Sequence, residues 1–140
     1  MYELHHAVEL LRAGNYTCVL RRDDDIVADR RRGIRPLLEL LDSGKDFSDY
    51  AAADKVVGKA AAHLYCLLGV KAVYAGVISQ RARAVLENAG IAVTFGTEVS
   101  AIRNRAGDGL CPMETAVWDI EDHQTAHKAI LSTLQKLQSS

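Results

Sequence analysis

The chain has 140 residues, 49% of them hydrophobic and 25% charged, which suits one domain with a real core and is too short for two comfortable ones. The 17 Lys and Arg against 18 Asp and Glu leave a formal net charge of -1, so no global field draws in nucleic acid or an anionic membrane, and neither is expected as a partner. No apolar run approaches the roughly 18 to 20 residues of a membrane span, the first residues lack the basic-then-apolar layout of an export signal, and Cys18, Cys66 and Cys111 show no metal-type spacing; reduced thiols in a cytoplasmic protein are the expectation.

Residues 1–13 carry Leu4, Ala7, Val8 and Leu11 at helical spacing and stop at Gly14-Asn15, which predicts an opening amphipathic helix. A cluster of β-formers at 16–22, a polar turn at Asp23-Asp24-Asp25 and a return at 26–29 predict a hairpin. Gly33 and Pro36 break that pattern, and Leu37, Leu38, Leu40 and Leu41 predict a short helix ending at Ser43-Gly44. After a polar stretch at 45–53, Asp54 reads as the N-cap of a helix running to about Leu68. Its apolar stripe includes Val56, Val57, Ala60, Ala61 and Leu64, while Lys55, Lys59 and His63 repeat every fourth residue along what would be its rim.

Gly69 closes this helix, and the nearly continuous apolar run 70–78 predicts a central strand covered on both faces. Ser79 opens a helix to Ala89, and 91–95 predict a further buried strand parallel to the central one at 70–78. Residues 97–102 read as a short helix or strand, 103–110 as a mobile Gly-Asp-Gly loop, and 122–137 as a final helix. A hairpin followed by a parallel pair, with helices between, predicts an α/β fold: a three-layer α-β-α sandwich on a mixed sheet, folded as a single domain over 1–140.

This order resembles the cytidine deaminase-like superfamily. Within it, the stretch from Ala53-Asp54-Lys55 to Ala60-Ala61-Ala62, the strand end Gly76-Val77-Ile78-Ser79, and Asn104-Arg105 leading to Cys111-Pro112-Met113-Glu114 look like a small prokaryotic family of unknown function. The resemblance covers nearly the whole chain and implies a fold with no activity attached. A zinc deaminase needs a His or Cys followed by a Glu, and then a Pro-Cys-x-x-Cys pair, to hold a metal and activate its water. Here the corresponding junctions read Ala53-Asp54-Lys55 and Ser79-Gln80-Arg81-Ala82, so the zinc ligands are lacking and no metal or cofactor is expected.

What the resemblance leaves is a crevice at the carboxyl ends of parallel strands, where helix starts favour anions. Asp54, Lys55 and Ser79 are its expected floor, with Asn104, Arg105, Cys111 and Glu114 brought by the following loop. Asp54 and Ser79 are equally explained as helix caps. Cys111 before Pro112, with Glu114 three residues on, has the layout of a helix start with a capping box, and a thiol in that position gains nucleophilicity. Asp54 and Cys111 are therefore the catalytic candidates, if the chain is an enzyme.

Other features are plainer. His123 and His127 stand four apart but lack the Glu of a zinc-protease motif and a third ligand. The run Arg30-Arg31-Arg32 with Arg35 is offset by Asp23, Asp24, Asp25 and Asp29 and reads as a solvated or subunit-facing patch, with contact to a phosphate ligand as the alternative. No glycine-rich phosphate loop or serine elbow is present. Three functions stay open at this point: a pocket for a small, anionic or nucleotide-like molecule; a non-catalytic homodimeric interaction or regulatory module; and a Cys111-centred thiol enzyme or redox sensor.

Overall fold

Residues 2–139 are described by a computed structural model. The opening helix α1 (Tyr2–Ala13) stops where Asn15 takes a left-handed conformation, φ 54°; residue 1 of the predicted helix lies outside the described residues. The hairpin follows as β1 (Cys18–Arg22) and β2 (Asp25–Asp29), paired antiparallel. The short helix α2 (Arg35–Asp42) carries Pro36 in its first turn, where a missing N–H costs nothing.

The next element corrects the sequence reading. Residues 51–57 form a strand, β3 (Ala51–Val57), and the helix thought to start at Asp54 is α3 (Lys59–Leu68), with Gly58 at its N-cap. Ala51, Ala52 and Ala53 are wholly buried, held between β1 on one side and β4 on the other. Alanine leans towards helix, but that lean is weak, and pairing on both edges overrides it. The chain continues through β4 (Ala72–Ser79), α4 (Gln80–Asn88), β5 (Ala92–Val99), α5 (Pro112–Val117) and α6 (His123–Ser139).

One mixed five-stranded sheet results, ordered β2-β1-β3-β4-β5. β1 runs antiparallel to both its neighbours, whereas β3, β4 and β5 are parallel. β3 joins the hairpin to the parallel strands, and without it the sheet would fall into two pieces. α1 packs on one face through Ala7, Leu11, Val19 and Ala53. On the other, α2, α3 and α4 build the main core with Leu20, Ala52, Leu64 and Leu86, and α5 and α6 lie beyond α3. α3 is consequently buried on nearly every side.

Two further expectations change. β5 is the edge of the sheet, and most of its residues are exposed, because nothing pairs with its outer side. It also absorbs the ambiguous stretch after Gly96, running to Val99. On β3 the buried alternation slips: Ala52 and Val57 serve the same core although they differ in parity, and Lys55 and Val56 between them are exposed. Gly76 makes the slip possible. A Cβ there would stand 2.7 Å from the Lys55 carbonyl oxygen, and one on Gly96 would stand 2.9 Å from the Gly76 oxygen, so glycine lets the three parallel strands approach where they bend.

Candidate functional site

At the carboxyl end of β3 the chain turns through Gly58 into α3, and the first N–H groups of that helix need acceptors. The carboxylate of Glu114, from α5, supplies one: Oε1 accepts from Ala60 N at 3.2 Å. Gly58 makes room for it, since a side chain there would collide with the Glu114 carboxyl group. The capping box predicted for Glu114 within its own helix is thus replaced by a cap across two helices. Glu114 is 2% exposed, and its other oxygen, Oε2, is buried without a partner. Burial raises its pKa, opposed by the α3 N–H groups and by the charges of Lys59 and Arg81.

Beside this cap lies a cavity of about 650 Å³. Thr17 and Cys18 at the start of β1, Asp54 to Val56 on β3, and Gly58, Ala60 and Ala61 at the α3 start form one part of its wall. Arg32 to Ile34, Leu37, Ile102, Arg103, Arg105, Cys111, Met113 and Glu114 complete it. Sequence-distant segments therefore meet at one place, at the carboxyl end of a parallel strand, where α/β folds commonly hold ligands.

Asp54 points to the α3 side of the sheet. Its Oδ2 accepts from Tyr65 Oη at 2.7 Å, and its Oδ1 accepts from Val56 N at 3.2 Å across the bend. Desolvation pushes its pKa up to about 6, despite those hydrogen bonds. Cys18 sits opposite it on β1, and burial together with the Asp54 charge holds that thiol protonated. Burial and Asp54 raise the Tyr65 phenol well above its ordinary value too. Cys18 and Tyr65 accordingly stay protonated, and the negative charge of this cluster belongs to Asp54.

The mouth has the opposite sign. Arg32, Arg103, Arg105 and Lys55 are exposed. Lys55 Nζ donates to Asn15 Oδ1 at 2.9 Å, whereas none of the three arginines is ion-paired among the described residues. Their neighbours in the basic run are engaged elsewhere. Arg31 bridges Asp29 and Glu39, and Arg30 covers the Tyr16 ring at 4.2 Å.

Five of the predicted site residues come together here: Asp54, Lys55, Arg105, Cys111 and Glu114. Two do not line the cavity. Ser79 is wholly buried and caps α4, accepting from Ala82 N at 3.1 Å. Asn104 is occupied within its own turn, where Oδ1 accepts from Gly107 N at 2.8 Å and Nδ2 donates to Asp108 at 3.0 Å. The loop expected to be mobile is pinned at its base by the Arg103–Leu110 bridge. Asp54 is not a helix cap, being mid-strand. Cys18 and Tyr65 were not expected at the site; β3 brings them to Asp54, and no local pattern marks them. Arg32 was read only as part of the basic run, and it lines the same cavity.

The rim stripe is also corrected, because α5 and α6 cover it. Lys59 is 1% exposed and donates to Trp118 O at 2.9 Å. Arg81 donates to the same carbonyl at 3.0 Å and stacks on the Trp118 ring at 3.8 Å, so two cations meet the C-terminal end of α5, where the helix dipole favours them. His63 is wholly buried, with Nδ1 at 2.8 Å from His123 Nδ1 and Nε2 at 3.1 Å from Ile120 O. His123 is thus a partner to a buried histidine.

The residues at the two helix starts do not fit zinc. Gly58, Lys59 and Ala60 begin α3, and Ser79, Gln80 and Arg81 begin α4, with no imidazole or thiolate among them. Among the described residues no three His, Cys, Asp or Glu side chains gather in a way that would hold an ion. Nor is any helix among them long and apolar enough to cross a membrane.

The sequence model of the domain of unknown function DUF1893 (TM1506) matches residues 6–134. The chain belongs to the DUF1893 family. Its fold is similar to the crystal structure of a DUF1893 family protein (TM1506) from Thermotoga maritima, with a TM-score of 0.85 at 22% sequence identity, over 96% of this chain and 90% of that one. None of the curated proteins matches this DUF1893 chain.

Proposed function

We propose that this DUF1893 domain binds a small anionic, nucleotide-like molecule in the cavity between β3, α3 and the 102–114 segment. The observation that carries the reading is the composition of that cavity: the half-buried Asp54 and the buried Glu114 inside, and exposed Arg32, Arg103 and Arg105 without ion-pair partners among the described residues. Arginines without protein partners suit a phosphate or carboxylate. The start of α3 does not serve as the anion site, since Glu114 already caps it. The kinship with the cytidine deaminase-like superfamily belongs to the same proposal; it is supported by the order of helix, hairpin and parallel strands and by a cavity at the expected strand end.

Burial raises the Asp54 pKa to about 6, which makes it the group best equipped to take or give a proton at this site. Cys111 contributes a half-buried thiol to the wall. Among the described residues its Sγ has no hydrogen-bonded base, so binding ranks ahead of thiol catalysis.

The test is native mass spectrometry of freshly purified protein set against its denatured mass, followed by thermal-shift titration with nucleoside monophosphates. A retained organic mass or a saturable shift in the wild type, lost in a folded Asp54→Ala variant, is the expected result. No binding in the wild type, or undiminished binding in Asp54→Ala, refutes the reading. The same spectrum reports subunit number and so tests the homodimer reading, whose supporting feature is the one-sided β5 edge.

A further inference from the structure

The lining of the cavity changes character with exposure. Apart from Cys18 and the Glu114 cap, its buried residues are apolar: Ile34 and Leu37 at the start of α2, and Ala60 and Ala61 on α3. The half-buried Ile102 and Met113 extend that wall. Val56 lines the cavity as well, and it is 47% exposed, a large apolar side chain left open to solvent. Arg32, Arg103 and Arg105 belong to the exposed part of the lining.

The remaining polar side chains of the wall are turned towards protein. Thr17 Oγ1 donates to Arg31 O at 2.7 Å, Lys55 Nζ donates to Asn15 Oδ1 at 2.9 Å, and Asp54 accepts from Tyr65 and Val56. The Glu114 carboxyl group caps α3. A body rich in hydroxyl groups would give up water there and find few partners, whereas an apolar body gains by covering Val56 and the buried wall. The sulfur atoms of Cys111 and Met113 and the planar guanidinium groups suit an aromatic ring better than an aliphatic chain.

From this lining we infer that the ligand is an aromatic anion, with a flat ring system against the apolar wall and its phosphate or carboxylate among the exposed arginines. The inference rests on the proposed function and adds to it the class of the body: the ring, and not a sugar, supplies the affinity beyond that of the anionic group.

The probes are 1-naphthyl phosphate and ribose 5-phosphate, which carry a phosphate monoester on an apolar ring and on a hydroxylated body. Calorimetric titration of the full wild-type chain should give 1-naphthyl phosphate the lower Kd by about tenfold or more, the effect of covering one ring face. Val56→Thr keeps a β-branched residue at an exposed strand position, and Met113→Gln keeps side-chain length and helix preference. Each should cut the ratio of the two affinities by about threefold. Arg105→Gln, at an exposed position, should weaken both probes by a like factor and preserve the ratio.

A wild-type ratio near one, or a ratio unchanged in both Val56→Thr and Met113→Gln, overturns the inference while the binding function stands. Binding of 1-naphthyl phosphate that ignores Arg105→Gln lies elsewhere on the surface and overturns it too. If neither probe nor any nucleoside monophosphate binds the wild type, the proposed function falls with it.

Discussion

Asp54 makes a measurable claim about stability, because a carboxylate whose pKa rises on folding works against the fold once it ionises. Its ordinary value is 3.8, and in the folded chain it is about 6. The protonated acid is the form the fold prefers. Its contribution is fully present below pH 3.8 and is lost as pH rises through about 6, so the window is pH 4 to 6. A difference of about two pH units corresponds to about 3 kcal/mol, an upper bound for a side chain that is partly open to the cavity. Asn in its place carries no charge and can still serve both neighbours, accepting from Val56 N and donating to Tyr65 Oη. Asp54→Asn should therefore stabilise the chain at pH 8 by about 1–3 kcal/mol, raising Tm by about 3–10 °C for a domain of this size.

The assay is thermal or urea unfolding of wild type and variant in parallel from pH 8 to pH 4. The difference between the two isolates Asp54 from the other groups that titrate in that range. It should be largest at pH 8 and close between pH 6 and pH 4. A difference that does not change with pH, or a variant less stable than wild type at pH 8, would refute the reasoning. Under the proposed function the same variant should lose ligand, which would explain why a destabilising charge occupies the middle of a strand.

Three other outcomes are expected. Gly76→Ala brings a methyl group to 2.7 Å from the Lys55 carbonyl oxygen, a backbone atom that cannot swing aside, and should cost about 2 kcal/mol or more in a urea titration; a neutral result would show that the strand bend is not held by close approach. His63 is kept neutral by burial, by His123 and by Lys59, with the Ile120 carbonyl and Glu121 opposing, so its pKa lies below 6.5 and its contribution to stability is lost as pH falls through that lowered value. His123→Ala removes one of those causes and should shrink the acid loss in urea midpoint between pH 7 and pH 5; an unchanged loss would sink this account. Iodoacetamide followed by peptide mass spectrometry should modify Cys111 first, because burial raises Cys66 to about 11 and Cys18 further still. Earlier labelling of Cys18 would mean that the cavity floor is open.

Much of the fold is legible locally, since punctuation and periodicity carry it. Gly14-Asn15, Pro36, Ser43-Gly44, Gly69 and Gly90 mark element ends by their backbone preferences, and the run of β-branched and apolar residues through β4 marks a strand covered on both faces. Ser79 as a cap and Cys111-Pro112 as a helix start are readable for the same reason. Residues 51–57 are not, because Ala51 to Ala53 follow a polar stretch and read as its end, while Asp54 to Val57 share the apolar spacing of the real helix beyond them. Only burial between β1 and β4 makes them a strand.

The site divides along the same line. Asp54, Lys55, Arg105, Cys111 and Glu114 could be named from residue type and a family resemblance, yet their roles could not. Glu114 caps a helix that begins 55 positions earlier in the chain, Asp54 bonds Tyr65 and faces Cys18, and Arg32 reaches the mouth while Arg30 and Arg31 do not. By itself the sequence determined the order of most elements, since that follows from near neighbours. The tertiary structure alone decided which polar groups are buried together and which oxygen lacks a partner, because desolvation and pairing depend on what the fold brings across from distant positions.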